Sequence, residues 1–215
     1  MRTCVPRIRT EAIQTIAMPL DVFLALVAFA FVMTFTPGPN NIMLAAAGVN
    51  FGFARNVPRM AGVSIGFLVL VLARGTGLSL VFAALASLQL ALKIAGAIYV
   101  LWLAFKVATA HQARDNGSGP ARPITFWQAA AFQWVNPKGL VAALSAIAVY
   151  VRPAHERQDL AVMLAVFALV TAGSVMTWAG FGVALRRLLC DPVHAHIFNA
   201  AMALLLVASI VPMVF

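Results

Sequence analysis

Charge is scarce in this sequence, and negative charge is scarcest. Six Asp and Glu stand against fifteen Lys and Arg, and charged residues make up 10% of the 215. A water-soluble domain carries about 25% charged residues, so no water-facing surface can be assembled here and lipid must solvate most of the chain. Cysteine is equally rare: Cys4 and Cys190 lie far apart and form no CxxC pair, which suggests neither a disulfide nor a metal site. The four histidines (His111, His155, His194, His196) fall in predicted loops or at helix ends. His194 and His196 are read as a solvated pair beside Arg186 and Arg187 rather than as metal ligands. GxSxG, HExxH and paired intramembrane aspartates are all missing. With so few carboxyl groups, nearly all in loops, acid–base catalysis has few candidates, and an enzyme is not expected. The net charge of +9 comes from basic residues scattered singly or in pairs between apolar runs. That pattern fits loop anchoring in a membrane and not a nucleic-acid-binding patch.

What the chain has is hydrophobicity, at 63% of residues with a mean hydropathy of +0.95. A hydrocarbon core of about 30 Å takes about 20 apolar residues per helix, which predicts spans near 20–50, 61–84, 86–107, 125–150, 159–185 and 196–215. The fold class is therefore all-α integral membrane, with six transmembrane helices. The longest connection, HQARDNGSGPARP, divides the chain into a first three-helix repeat (18–109), a linker (110–124) and a second three-helix repeat (125–215). Residues 1–17 are polar and basic and lead into no signal-peptide cleavage site. They are expected to be an upstream extension, with Met18 the native start. The loops after helices 1, 3 and 5 carry Arg55, Arg59, Lys106, Arg114, Arg122, Arg186 and Arg187. The positive-inside rule puts them, and the linker, in the cytoplasm and both termini outside.

Two spans are interrupted at corresponding places. The first contains FTPGPNN, with Pro37 and Pro39, and the fourth contains QWVNPKG, with Pro137. Proline removes a backbone donor and blocks the helix. The freed groups are tolerated in lipid only where protein or a water-filled cavity satisfies them. An odd number of helices per half makes the halves face opposite ways, and matching breaks in inverted repeats point to a transporter's midplane site.

Gly38, Asn40 and Asn41 supply backbone freedom and amide groups beside the first break, either as a carboxylate site at a half-helix N-terminus or as caps of that half-helix. Gln133, Asn136 and Lys138 stand at the second break. Lys138 either faces a cavity or snorkels to an interface. Arg74, near the centre of the second span, either meets substrate or binds carbonyls freed at a break. Lys93 is read as snorkelling, and Gly62 and Gly66 as close helix packing.

These motifs, in order and at this spacing, resemble the LysE/RhtB family of amino-acid exporters from Met18 to Phe215. The stretches FTPGPNNIMLAAAGVNFGFARNVPRMAGVSIGF, GAIYVLWLAFKVATA and FWQAAAFQWVNPKG resemble that family's first, third and fourth helices. PGPNNI, YVLWLAFKVAT and PITFWQAAAFQWVN resemble most its cysteine/O-acetylserine exporter branch, while NPK is shared with the threonine/homoserine branch. Arg74 departs from the family's second helix.

The resemblance implies an inner-membrane exporter of small amino acids, driven by the proton-motive force, without a cofactor or nucleic-acid partner and compatible with a homodimer. It implies a central site lined by Pro37, Gly38, Pro39, Asn40 and Asn41 with Asn136, Pro137 and Lys138. A membrane scaffold is the competing reading, but it leaves the two breaks without a purpose. Intact mass of the native protein is expected to begin at Met18; a native chain beginning at Met1 overturns the reading of residues 1–17.

Overall fold

The computed structural model describes residues 18–78, 124–186 and 191–208, with isolated helical positions between 94 and 108. The predicted extension 1–17, most of the third span and the linker lie outside the described residues, as do both cysteines, His111 and Lys93. Every regular element among the described residues is helical. The first predicted span is two helices, α1 (Leu20–Phe35) and α2 (Pro39–Phe51), bent by 53° at the break. Then come α3 (Phe53–Ala73) with a π-helical turn at Arg74–Leu78, α4 (Phe126–Phe132), α5 (Pro137–Tyr150), a 3-10 turn at Pro153–His155, α6 (Glu156–Leu185) and α7 (Pro192–Ala208). Phe53–Thr76 and Pro153–Leu185 are each long and apolar enough to cross a membrane, and the bent pair α1–α2 passes as a third span.

Each break follows from local sequence. Pro39 and Pro137 both occupy the first helical position, where proline's missing N–H is no loss and its fixed φ starts the helix. The second break opens before its proline: α4 ends at Phe132, residues 133–135 form a turn, and α5 starts afresh at Pro137. Thr125 and Gln128 close a capping box at the start of α4, satisfying two end donors reciprocally.

Two expectations need correction. The connection predicted around Arg55 and Arg59 shrinks to Gly52 alone, whose φ of +79° reverses the chain in one residue. Residues 53–60 are therefore helical. Arg59 is buried and donates from Nη1 to Met43 O at 2.9 Å, and Asn56 beside it donates to Leu44 O at 2.9 Å. The second correction follows from the first. Because α3 starts at Phe53 and runs 21 residues, about 32 Å at 1.5 Å per residue, Arg74 lies at the far end of that helix and not at its centre.

Packing places the breaks at one level. One core cluster joins Leu26 and Ala30 of α1 to Phe67 and Leu70 of α3, Ala142 and Ala146 of α5, and Met163 and Phe167 of α6. Another joins Leu44 of α2 to Met60 and Val63 of α3, Ala129 of α4, and Val175 and Ala179 of α6. The long helices α3 and α6 run through both clusters, whereas α1 and α5 share one end and α2 and α4 the other. The chain passes from the first end to the second at α1–α2 and back at α4–α5, so the two broken spans run in opposite directions.

At the second end the backbones nearly touch. A Cβ on Gly182 would strike Ala45 O, and one on Gly48 would strike Ala179 O and come within 3.1 Å of Val183 N. Gly66 likewise lets α3 approach Ala130 of α4, where a Cβ would sit 2.6 Å from Cα, and Gly62 lies against Phe126 O. Small residues allow this close approach between membrane helices. Joining α5 to α6, Arg152 clasps buried Asp159 through Nε and Nη2, both at 2.8 Å, and its own N–H donates to Oδ2 at 2.9 Å. Gly182→Val is expected to lower stability by about 1–3 kcal/mol through overpacking against α2. Thermal unfolding in detergent, followed by size-exclusion chromatography, measures it; an unchanged profile contradicts the contact.

Candidate functional site

A helix that stops inside a membrane leaves its last carbonyls without N–H partners. At the end of α1 these are satisfied by side chains from three other helices. Asn41 of α2 donates from Nδ2 to Thr34 O at 2.6 Å and to Thr36 O at 2.9 Å. From α6, Ser174 Oγ donates to Thr34 O at 2.7 Å and Trp178 Nε1 to Phe35 O at 3.1 Å. Lys138 at the start of α5 donates from Nζ to Thr36 O (2.6 Å), Thr36 Oγ1 (2.7 Å) and Pro37 O (3.4 Å). Of the two readings of the asparagines, capping of α2 is the one that the geometry does not bear out. Its N-cap is Gly38, with no side-chain capping bond, and Asn41 turns back to α1. Gly38 is small because Lys138 crosses it: a Cβ there would lie 2.8 Å from Lys138 Cδ.

A second link joins the two breaks. Asn40 Nδ2 donates to Gln133 Oε1 at 2.8 Å and Gln133 Nε2 donates back to Asn40 Oδ1 at 3.2 Å. Gln133 is fully buried and also donates to Ala129 O at 2.9 Å, across the last turn of α4.

Between the breaks lies a cavity of about 50 Å3, lined among others by Gly38, Asn40, Asn136, Lys138, Phe67 and Thr171. That is room for roughly three to five water molecules, at about 10–15 Å3 each. It sits at mid-length of α3, at Val63 and Phe67, and of α6, at Thr171, Ser174 and Val175. The N-termini of α2 and α5 both open on it through Pro39, Asn40, Asn41, Lys138 and Gly139, and α5 also lacks a side-chain cap. First-turn N–H groups without helical partners make a site for anions. Opposite in character are two lining acceptors, Asn136 Oδ1 and Thr171 Oγ1, both buried and without a hydrogen-bond partner.

Of the sequence-predicted site residues, the structure brings Gly38, Pro39, Asn40, Asn41, Gln133, Asn136 and Lys138 to this cavity. Pro37 and Pro137 flank it without lining it, and Arg74 stands apart in the π-helical turn. His194 faces Asp191 at 3.2 Å rather than His196.

Residues 31–210 match the LysE type translocator family. The chain belongs to this family. The translocator is 34% identical over 181 residues to the cysteine/O-acetylserine efflux proteins of Escherichia coli (strain K12) and Shigella flexneri, covering 83% of this chain and 90% of each relative. The protein of the same name from Escherichia coli O139:H28 is 33% identical over the same span. No solved structure matches the chain. As a family member the translocator is a membrane transport protein and not an enzyme.

Sequence reading missed Thr34, Thr171, Ser174 and Trp178. The signal present was the run TAGSVMTW (171–178), polar for the middle of an apolar span. Replacing Asn41 by alanine is expected to cost about 1–3 kcal/mol, the penalty for losing a buried donor, with a larger loss than Asn50→Ala, whose amide bonds only within its own helix. Denaturation of the purified variants in micelles ranks them; equal losses contradict the linking role.

Proposed function

We propose that this translocator is a secondary exporter of small amino acids of the cysteine and O-acetylserine kind, carrying them out across the bacterial inner membrane. The observation that carries the reading is the cavity's paired polarity. Two half-helix N-termini supply N–H groups for a carboxylate, and the buried, unpartnered Asn136 Oδ1 and Thr171 Oγ1 supply acceptors for an ammonium. An α-amino acid carries both groups on adjacent atoms. The apolar side chains of Met33, Phe67, Ala142 and Val175 line the rest of the cavity, beside which the substrate's own side chain would lie. The relatives' names give the same substrate class.

The architecture proposed is six membrane helices in two inverted repeats, 18–109 and 125–215, joined by a cytoplasmic linker over 110–124. The opposite directions of the two broken spans and their meeting at one level support it. Gly48 lies against Val183, so Arg55 and Arg186 belong to the same end of the bundle. At the opposite end Arg152 is neutralised by Asp159. The excess of positive charge at the Arg55 end supports a cytoplasmic assignment for it and an outside location for both termini. The energy source proposed is the proton gradient.

Overexpression is expected to raise export of radiolabelled cysteine and O-acetylserine above that of threonine, homoserine and lysine. An unchanged efflux of the whole panel overturns the reading. Asn136→Ala is expected to reduce export by about tenfold or more, the value of one hydrogen bond to a charged group, at unchanged membrane abundance. Normal transport by that variant returns Asn136 to a structural role.

A further inference from the structure

The cation at the end of α1 is part of the protein. In transporters with broken membrane helices, carbonyls at a half-helix C-terminus bind the coupling cation, and the dipole there favours positive charge. Here the corresponding oxygens, Thr36 O and Pro37 O, are taken by Lys138 Nζ together with Thr36 Oγ1. Thr36 Oγ1 is itself the donor to Val32 O at 2.7 Å, so its hydrogen is used and toward Lys138 it is an acceptor. All three neighbours of Nζ are therefore acceptors. Three donors are what an ammonium has and a neutral amine lacks. The contact set specifies the protonated form, and loss of the proton aims a lone pair at an oxygen.

Lys138 also lines the cavity, and among the described residues it is the one titratable side chain of the lining. No other titratable group of the described residues on the elements packed against it faces it. Among the described residues, α2, α4 and α6 beyond Asp159 carry none before Arg186, α1 has only Asp21 in its first turn, and α5 has only Tyr150 at its far end. On α3, Arg55 is in the first turn, Arg59 lies against Met43 of α2, and Arg74 follows the last turn.

We propose that Lys138 is the proton-carrying residue of export, its ammonium and the ammonium of a bound amino acid excluding one another from the same small cavity. The proposal rests on the exporter reading above. The substrate's carboxylate is taken up by the N–H groups of α2 and α5. That leaves its ammonium and that of Lys138 as two like charges in one cavity with no carboxylate among the lining residues, and they oppose each other's charged forms. A zwitterion arriving from the cytoplasm drives the Lys138 proton off Nζ into water on that side. When the substrate leaves outward, Nζ takes a proton from the outside and restores its three contacts to α1. One proton enters for each amino acid exported, and no intramembrane carboxylate is required.

The test titrates purified wild-type protein with O-acetyl-L-serine in weakly buffered detergent containing a pH-sensitive dye, with binding followed in parallel by calorimetry. The expected result is release of about one proton per substrate bound. Lys138→Arg, whose guanidinium keeps its proton, is expected to release at least about tenfold less per substrate bound; Lys138→Gln, with no proton to give, serves if the arginine does not fold. Wild-type binding without proton release overturns the proposal whatever the variants do and leaves the exporter reading intact. Equal release from a folded variant overturns it as well. A wild-type protein that binds none of cysteine, O-acetylserine, threonine or homoserine overturns both.

Discussion

Four consecutive carbonyls, from Thr34 to Pro37, end a helix in the interior of a membrane protein, and everything around the cavity is arranged to satisfy them. An unpaired carbonyl in hydrocarbon costs several kcal/mol, so the break can exist only where donors converge. Asn41, Lys138, Ser174 and Trp178 are those donors. They come from α2, α5 and α6, which makes the end of α1 the point through which three other helices are registered to one another. The Asn40–Gln133 pair then ties the first break to the second.

The same convergence separates two kinds of polar group. Donors are spent on α1, while Asn136 Oδ1 and Thr171 Oγ1, on two residues that line the cavity, remain without partners. Neighbouring residues of one motif thus make different contacts. In PGPNN, Asn41 bonds back to α1 and Asn40 bonds Gln133 at the other break; in NPK, Asn136 is unpartnered at Oδ1 and Lys138 donates to Thr36 and Pro37.

The breaks were legible in the sequence because proline's missing N–H acts locally, and Pro39 and Pro137 start helices wherever they are packed. The residues beside them were legible for the same reason, although the partner of Lys138 was not: it lies 102 positions away on Thr36. Residues 171–178 were harder to read because a hydroxyl in a membrane helix can bond its own backbone. Thr177 does so, to Gly173 O, as Thr76 does to Leu72 O, and only packing reveals that Ser174 reaches a different helix. Arg59 was misplaced because charge marks loops only on average. Once Gly52 turned the chain in a single residue, the arginine fell inside α3 and Arg74 moved to its end.

The contact of Gly182 with Ala45, and of Gly48 with Ala179, has a mechanical meaning. With glycine at both crossings the backbones of α2 and α6 interlock, and the register between the two helices is fixed. α2 carries Asn41 and α6 carries Ser174 and Trp178, three of the donors that reach the end of α1. A shift of α6 along α2 by even one residue would therefore break the glycine crossings and draw all of these donors off the carbonyls of α1 together.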